Sequence, residues 1–375
     1  MNYKLTGGRV YDPDYKFRQH DVYIRDGKFA NKEDTGNEYE TMDMSGMTLI
    51  PGLTDIHFHG CKGHDFCEGD KDVIQLMADY EESRGITTIC PATMTFPEEK
   101  LNKIMAAVRE YPNEKGAYIA GVNMEGPFIS QEKKGAQNPE YITEPDIEMF
   151  KRLQEVSGNK IKLVALAPET KGAEEFIAAL KDKVIISFAH SAADYEGAKK
   201  AFEIGVHHVT HLFNGMAGID HRTPGPVFAA FESEGVEAEM ICDGVHIHPS
   251  VVRAAIKLLG EDRVIFISDS MEAVGMPEGE YELGGQPVIK RGNEARLKDG
   301  TIAGSASDLM DVLRTAVLKM GIPLESAVRF AAVNPAKSIG IYDRTGSIEE
   351  GKAANLAVLG ENIELKYVFS RGKLV

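Results

Sequence analysis

The segment PGLTDIHFHG, residues 51 to 60, starts as an apolar strand and ends in two histidines separated by one phenylalanine. Because side chains alternate along a strand, His57 and His59 are predicted to project from one face, with Asp55 below them. Two imidazoles on one face can share a divalent cation, and Asp55 would then orient a ligand or fill the interior. Two hydrogen-bonded core histidines explain the segment equally well when it is taken alone.

Seven further strand-like runs follow this segment, and each precedes a stretch long enough for a helix. They are ITTICPAT, AYIAGVNMEGP, KLVALAPE, VIISFAHS, HHVTHLFN, EAEMICDGVH and VIFISDS. Eight strand–helix units over roughly 250 residues are typical of a closed parallel (β/α)8 barrel, the TIM-like fold of the α/β class. No GxGxxG motif follows the first strand, which argues against an open dinucleotide-binding sheet.

Both ends of the chain differ from this middle, because they consist of short β-like runs separated by turn signals. We expect residues 1–50 and 340–375 to form one small β-sandwich domain, which leaves residues 51–339 for the barrel. The glycine-rich segment at residues 275–300 interrupts the strand–helix pattern after the eighth strand. It is predicted to be a β-hairpin insertion.

The formal net charge is −16, from 42 lysines and arginines against 58 aspartates and glutamates. A negative field repels nucleic acid and anionic membranes, so neither is expected as a partner. The sequence has no apolar run of membrane-spanning length, no apolar stretch typical of a secretory signal and no CxxC pair. We therefore expect a cytoplasmic protein with reduced thiols. A small anionic ligand would need a local cluster of positive groups.

Several of the predicted strands end in imidazoles or carboxylates. These side chains are His57 and His59, Glu125, His190, His211, His246 and Asp269. In a (β/α)8 barrel the C-terminal strand ends form the mouth, where active sites lie. Histidines that only fill a core have no reason to favour that end. The convergence therefore predicts a metal-dependent site at the mouth.

Three of these residues, Glu125, His190 and His211, would make a metal site with an open position for water, as hydrolytic metal sites have. A salt bridge at the rim is the alternative for Glu125. Asp269 is predicted to be the general base that takes the proton of the attacking water. The alternatives for Asp269 are a plain metal ligand and the N-cap of the following helix.

Seven motifs occur in order along nearly the whole chain, namely PGLTDIHFHG, EGPF, AHS, THLFNGM, DGVH, SDSM and GTIAGS. Together they resemble the N-acetylglucosamine-6-phosphate deacetylases of the amidohydrolase superfamily. The resemblance implies hydrolysis of N-acetylglucosamine 6-phosphate to glucosamine 6-phosphate and acetate, in amino-sugar catabolism and cell-wall sugar recycling. It also implies one or two divalent ions (Zn, Fe, Mn or Co) and a homodimer.

The resemblance also implies roles at the positions that match the family's motifs. Glu125, His190 and His211 look like the core metal ligands, and Asp269 looks like the catalytic aspartate. The histidines of PGLTDIHFHG resemble those of the members that bind two metals.

The substrate-binding positions are carried over in the same way. Asn214 and Gly215 match the place where the family binds the sugar phosphate partly through backbone amides, although most members have alanine at Gly215. His246 and Arg222 resemble phosphate-contacting residues, and the arginine would come from the neighbouring subunit. Gln137 stands where other members have a histidine that contacts the substrate, so its contact would be a neutral hydrogen bond.

Three other functions remain open. N-acetylgalactosamine 6-phosphate differs by one hydroxyl configuration, and no residue decides between the epimers. Dihydroorotase-like amidohydrolases commonly bridge their metals with a carboxylated lysine, where this sequence offers Glu125; nucleobase deaminases are a related option. An inactive scaffold should have lost ligands, yet every candidate is present. Near the mouth, His64 is expected to be structural or exposed, and Cys61 is expected to be an inert buried thiol.

Overall fold

A computed structural model of the chain describes residues 1–31 and 38–375, so residues 32–37 of the predicted small domain lie outside the described residues. The N-terminal strands are β1 (Tyr3–Thr6), β2 (Arg9–Tyr11), β3 (Phe17–Gln19), β4 (Val22–Arg25), β5 (Lys28–Ala30), β6 (Glu40–Asp43) and β7 (Thr48–Pro51). The strands of the middle region are β8 (Leu53–Asp55), β9 (Gly60–Cys61), β10 (His64–Asp65), β11 (Ile86–Ile89), β12 (Tyr118–Ile119), β13 (Val122–Met124), β14 (Ile161–Leu166), β15 (Ile185–Phe188), β16 (His208–Val209), β17 (Glu237–Met240) and β18 (Val264–Phe266). The remaining strands are β19 (Gly279–Leu283), β20 (Gln286–Arg291), β21 (Glu294–Leu297), β22 (Leu356–Leu359), β23 (Leu365–Ser370) and β24 (Lys373–Leu374).

The helices alternate with the strands of the middle region. They are α1 (Lys71–Ser83), α2 (Glu98–Glu110), α3 (Ile147–Val156), α4 (Ala173–Leu180), α5 (Tyr195–Ile204), α6 (Gly225–Glu232), α7 (Pro249–Leu259), α8 (Leu309–Leu318), α9 (Leu324–Val328) and α10 (Asn334–Ser338). Helices α1, α3, α5 and α8 each begin after an aspartate whose side chain accepts a hydrogen bond from a first-turn amide. Such caps satisfy amides that lack a partner inside the helix, so they fix where each helix starts.

The middle region closes into a barrel. Strands β13 to β18 form one parallel sheet in chain order, and β8, β11 and β12 form a second parallel sheet. A bridge between Ala92 and Asn123 joins the two sheets on one side. On the other side, the Asp269 amide donates to the His57 carbonyl at 2.9 Å. The predicted (β/α)8 barrel is therefore confirmed, with the third barrel strand divided into β12 and β13.

Two further sheets are built from the chain ends. One has the order β5-β4-β1-β6, and the other, β24-β23-β22-β7-β2-β3, takes strands from both termini. Buried side chains from both sheets share one core, among them Leu5, Ile24, Val10, Leu356 and Phe369. A small β domain beside the barrel is thus confirmed, while the boundaries at residues 50 and 340 stay a prediction. Since β7 leads directly into β8, this domain anchors the strand that carries the two histidines.

The insertion at residues 275–300 holds three antiparallel strands, β19-β20-β21, rather than the two strands of a hairpin. The prediction missed β21 because EARL is short and mostly polar. Lys290 holds the insertion against the barrel, since its Nζ donates to the carbonyls of Ala273 and Met276 at 2.9 and 2.7 Å. Within residues 1–31 and 38–375, every helix is too short or too polar to traverse a lipid bilayer.

Candidate active site

Glu125 lies at the centre of a cluster of buried imidazoles. Its Oε1 atom is 3.1 Å from His190 Nε2 and 3.0 Å from His211 Nε2, and these two nitrogens are 3.2 Å apart. The next residue, Gly126, has φ +77°, and a Cβ atom there would lie 2.1 Å from Thr95 Oγ1. A glycine is therefore needed for the chain to turn immediately after the carboxylate.

A second group, made of His57, His59 and Asp269, adjoins the first. Asp269 Oδ1 is 3.2 Å from His59 Nε2 and 3.7 Å from His57 Nε2. Glu125 also faces this group, because its Oε1 is 3.5 Å from His57 Nε2 and its Oε2 is 3.4 Å from His59 Nε2. One carboxylate thus lies between two sets of three candidate ligands.

Three of these residues have left-handed backbone conformations. The φ angles are 43° at His190, 28° at His211 and 50° at Asp269. Such values are uncommon for residues other than glycine and cost about 1–3 kcal/mol each, so they persist only where the surroundings enforce them. Backbone strain of this kind is concentrated at functional sites. It is consistent with a site at the barrel mouth where these three side chains meet.

The electrostatics of the cluster favour a cation. Burial alone would raise the pKa of Glu125, but the nearby imidazoles of His57, His190 and His211 lower it well below its usual range. The pKa of Asp269 is likewise lowered, against burial, by its hydrogen bond with His59 and the charges around it. The buried Nε2 of His57 has no hydrogen-bond partner among the described residues.

Two sets of ligand atoms have metal-site spacing. In the sets His57–His59–Asp269 and Glu125–His190–His211, the ligand atoms lie within 4.8 Å of one another. Imidazole nitrogens combined with carboxylate oxygens suit first-row divalent ions. The residues present therefore fit one or two divalent cations.

The cluster forms the floor of a cavity of about 290 Å³. Its floor and walls include His59, Glu125, Gln137, His190, His211 and Asp269. Further lining residues are Asn214, Gly215 and His246 from the barrel, and Leu283 of the insertion. The insertion therefore helps to shape the space above the candidate ligands.

Comparison of the sequence with known proteins identifies the family to which this chain belongs. The model of the Amidohydrolase family matches residues 48–375. This chain belongs to the amidohydrolase family. Among its curated relatives is an N-acetylglucosamine-6-phosphate deacetylase of Bacillus subtilis, which is 35% identical over 365 residues in a match that covers 94% of this chain and 92% of the relative.

Two other matches are informative about this amidohydrolase. An N-acetylgalactosamine-6-phosphate deacetylase of Escherichia coli is 31% identical over 380 residues, covering 100% of this chain and 99% of the relative. The solved structure of a variant N-acetyl-D-glucosamine-6-phosphate deacetylase from Mycobacterium smegmatis, in complex with N-acetyl-D-glucosamine-6-phosphate, is 30% identical with a TM-score of 0.93. That match covers 100% of this chain and 99% of the solved chain.

Three of the predicted substrate-binding residues of this amidohydrolase, Asn214, Gly215 and His246, line the cavity. Asn214 Nδ2 contacts the carbonyl of His211 at 3.3 Å. Gly215 has φ +62°, and a Cβ atom there would lie 2.8 Å from His190 Nδ1, so alanine would crowd the imidazole in this chain. His246 Nδ1 is 2.9 Å from Asp243 Oδ2. Burial alone would lower the pKa of His246, but the hydrogen bond and charge of Asp243 raise it.

Gln137 is buried beside the first ligand set. Its Nε2 donates to Glu125 Oε2 at 2.7 Å, and its Oε1 accepts a hydrogen bond from the Thr95 amide at 2.8 Å. The side chain therefore holds the second oxygen of Glu125. Its predicted contact with the substrate carbonyl stays a prediction.

Arg222 lies apart from the residues that line the cavity in this chain. It is exposed, and its backbone amide donates to Asp220 Oδ1 at 2.8 Å.

His64 also lies outside the cavity lining, and its Nδ1 is 3.0 Å from Glu68 Oε1. Cys61 is buried, and burial raises the pKa of its thiol, as expected for an inert cysteine.

Sequence reasoning missed two carboxylates that hold site histidines. Glu239 Oε2 is 2.8 Å from His57 Nδ1, and Asp243 Oδ2 holds His246. The DGVH motif contained a signal for Asp243, since an aspartate three residues before a histidine is within reach of it. For Glu239 the signal was an acidic residue with an apolar neighbour on each side, inside the predicted strand EAEMICDGVH.

Proposed function

We propose that this amidohydrolase hydrolyses the acetamide of N-acetylglucosamine 6-phosphate, giving glucosamine 6-phosphate and acetate. The observation that carries the proposal is that Asp269 lies 3.2 Å from His59 beside two sets of metal-ligand atoms on the floor of one cavity. Full-length relatives that carry the activity in their names support the choice of substrate. The activity fits a role in amino-sugar catabolism and cell-wall sugar recycling in the cytoplasm.

The cation would be held by Glu125, His190 and His211, with His57 and His59 as ligands of a second ion. Such an ion, which can be Zn, Fe, Mn or Co with these ligands, supplies Lewis acidity that lowers the pKa of water and polarises a carbonyl oxygen.

Asp269 carries the proton transfers in this proposal. Its carboxylate accepts a proton from the attacking water as the new carbon–oxygen bond forms at the acetamide carbon. It then donates that proton to the departing sugar nitrogen as the carbon–nitrogen bond breaks. Gln137 adds a neutral hydrogen-bond donor beside the reacting carbonyl.

The sugar phosphate would be held by other residues that line the cavity. His246, whose positive form is favoured by Asp243, would pair with the phosphate, and the backbone at Asn214 and Gly215 would bind the sugar phosphate. Binding energy from the phosphate would then hold the acetamide over the ions. A partner subunit's loop would add Arg222, so the proposed enzyme is a homodimer.

Changing Arg222 to alanine tests the shared site. We expect the KM for the sugar phosphate to rise about 10- to 100-fold, because one charged hydrogen-bond donor to the phosphate is lost. The kcat should change little, since Arg222 does not contact the reacting bond. Steady-state kinetics of acetate release measure both constants.

Mixed dimers of Arg222→Ala and Asp269→Asn subunits give the matched test of the interface. If the arginine acts in the neighbouring subunit, co-expression should restore about a quarter of the sites to the wild-type KM, since half the dimers are mixed and each mixed dimer has one intact site. Rates are measured at a substrate concentration well below the wild-type KM, where the Arg222→Ala sites contribute little. Absence of any restoration would assign the arginine to its own subunit or to no site.

Acetate release from the two epimeric sugar phosphates tests the proposed function as a whole. We expect faster release from N-acetylglucosamine 6-phosphate, complete loss of activity with a chelator and recovery when a divalent cation is returned. Faster release from N-acetylgalactosamine 6-phosphate would favour the second candidate, which the relative from Escherichia coli supports. No release from either sugar would contradict both.

A further inference from the structure

Glu239 is a buried carboxylate that takes no part in the proposed metal binding, substrate binding or proton transfer. It lies on β17, and its side chain is fully buried. Its Oε2 atom is 2.8 Å from His57 Nδ1 and accepts a hydrogen bond from the His211 amide at 3.2 Å. Burying an ionised carboxylate costs free energy unless it is paired, and these two contacts provide the pairing.

The contact with His57 determines which imidazole nitrogen is free. Because an ionised carboxylate only accepts hydrogen bonds, the proton between the two groups belongs to His57 Nδ1. In the neutral imidazole, the opposite nitrogen, His57 Nε2, then keeps its lone pair for the space between Glu125 and Asp269. That nitrogen is one of the buried polar atoms that have no hydrogen-bond partner within the described residues. A histidine whose other nitrogen is held by a carboxylate is a common arrangement at metal sites.

Within the described residues, the other histidines of the cluster lack such a carboxylate. The Nδ1 atoms of His59 and His211 have no hydrogen-bond partner, and that of His190 is 2.9 Å from the Lys133 carbonyl oxygen. Asp55, which the sequence suggested as an orienting group, accepts instead from the backbone amide of His57 at 3.1 Å. The orienting carboxylate of the second ligand set is therefore Glu239.

A polar network lies below Glu239. Its Oε1 is 3.7 Å from His208 Nε2, which is an ion-pair distance and too long for a hydrogen bond. His208 Nδ1 is 2.8 Å from Ser187 Oγ, and Ser187 Oγ is 2.6 Å from Thr210 Oγ1. This network links β15 and β16, whereas Glu239 itself is held by the contacts of its Oε2 atom with His57 and the His211 amide.

We propose that Glu239 is a positioning residue that prepares His57 as a ligand and thereby decides whether the set His57–His59–Asp269 takes a cation in addition to the set Glu125–His190–His211. The inference rests on the metal-dependent reaction proposed above and deepens it by naming what controls the second ion. Replacing Glu239 with glutamine should weaken the second ion selectively. The amide can donate to His57 Nδ1 and so favour the tautomer that presents a proton at Nε2.

The experiment titrates metal-free protein with Zn²⁺ against a competing chelator, with total zinc measured by elemental analysis. Wild type should bind two ions. In Glu239→Gln the second ion should bind about 10- to 100-fold more weakly, while the first keeps its affinity. Glu237→Gln is the matched control, because Glu237 lies two residues earlier on the same strand and its side chain makes no hydrogen bond or ion pair within the described residues. It should behave as wild type.

A second readout separates positioning from a purely structural role. In long-range proton–nitrogen NMR spectra of the zinc-loaded wild type, the His57 proton should be on Nδ1, and Glu239→Gln should lose or redistribute this signal. If Glu239→Gln fails to fold, Glu239→Asp keeps the charge but shortens the side chain, and the same loss of the second ion is expected.

Three results would overturn the proposal: one ion in the wild type, equal second-ion affinity in wild type and Glu239→Gln, or parallel loss of both ions. If the wild type binds two ions in a Glu239-dependent way but releases no acetate, the proposed function fails and the assignment of Glu239 stands. If acetate release is intact and Glu239→Gln binds two ions normally, only the assignment fails.

Discussion

Asp269→Asn is expected to lose about 10²- to 10⁴-fold in kcat, the range that a positioned acid–base group contributes. Asparagine has nearly the same shape as aspartate, but it cannot accept the proton of the attacking water or return one to the amine. The zinc content should stay near that of the wild type, because the five proposed ligands, Glu125, His190, His211, His57 and His59, all remain. Acetate release and elemental analysis of the same preparation measure both quantities.

The fold should survive this change, because the closure of the barrel at this position uses the backbone. The Asp269 amide donates to the His57 carbonyl, and the Asp269 carbonyl accepts from the Ser305 amide. A thermal melt of the variant provides the control. Turnover near the wild-type rate would remove Asp269 from the proton transfers, whereas joint loss of rate and metal would make it chiefly a ligand.

Glu125→Gln should have a different signature, with loss of both metal and activity. Glu125 Oε1 faces His190 and His211, while Oε2 faces His59, so removing the charge weakens both ligand sets. We expect kcat/KM to fall at least as far as in Asp269→Asn. Elemental analysis should find less zinc in Glu125→Gln than in Asp269→Asn, which separates a ligand from a proton carrier.

Glutamine preserves the volume of residue 125 and one oxygen that can accept the hydrogen bond from Gln137, so the variant should fold. A thermal melt of metal-free wild type and variant is the control, because it removes the contribution of bound ions to stability. A variant that retains two tightly bound ions would contradict the role of Glu125 between the two ligand sets.

The barrel could be predicted from sequence because its strands are buried on both faces and appear as apolar runs between helical segments. The same runs predicted where His190, His211 and Asp269 lie, since each follows the last apolar residues of a strand. The contact between Glu239 and His57 could not be predicted. It depends on two strands that are 182 residues apart in sequence and meet across the barrel interior.

Three other features depend on more than local sequence pattern. Strand β21 forms because β20 provides an edge with which EARL can pair, although that segment alone has little strand character. The proposed role of Arg222 depends on a second subunit, which the sequence of one chain does not specify. Gln137 was expected to contact the substrate. Its hydrogen bonds with Glu125 and with the Thr95 amide could not be predicted, because they depend on how the loop that carries Gln137 packs in the folded chain.

Anomalous diffraction from zinc-loaded crystals of the wild-type protein tests the central claim most directly. The claim is that separate strand ends bring Glu125, His190 and His211 to one cation. We predict an anomalous peak bound by these three side chains, and a second peak bound by His57 and His59 beside Asp269. Zinc peaks only at other places, with the three side chains hydrogen-bonded to one another as a metal-free cluster, would contradict it.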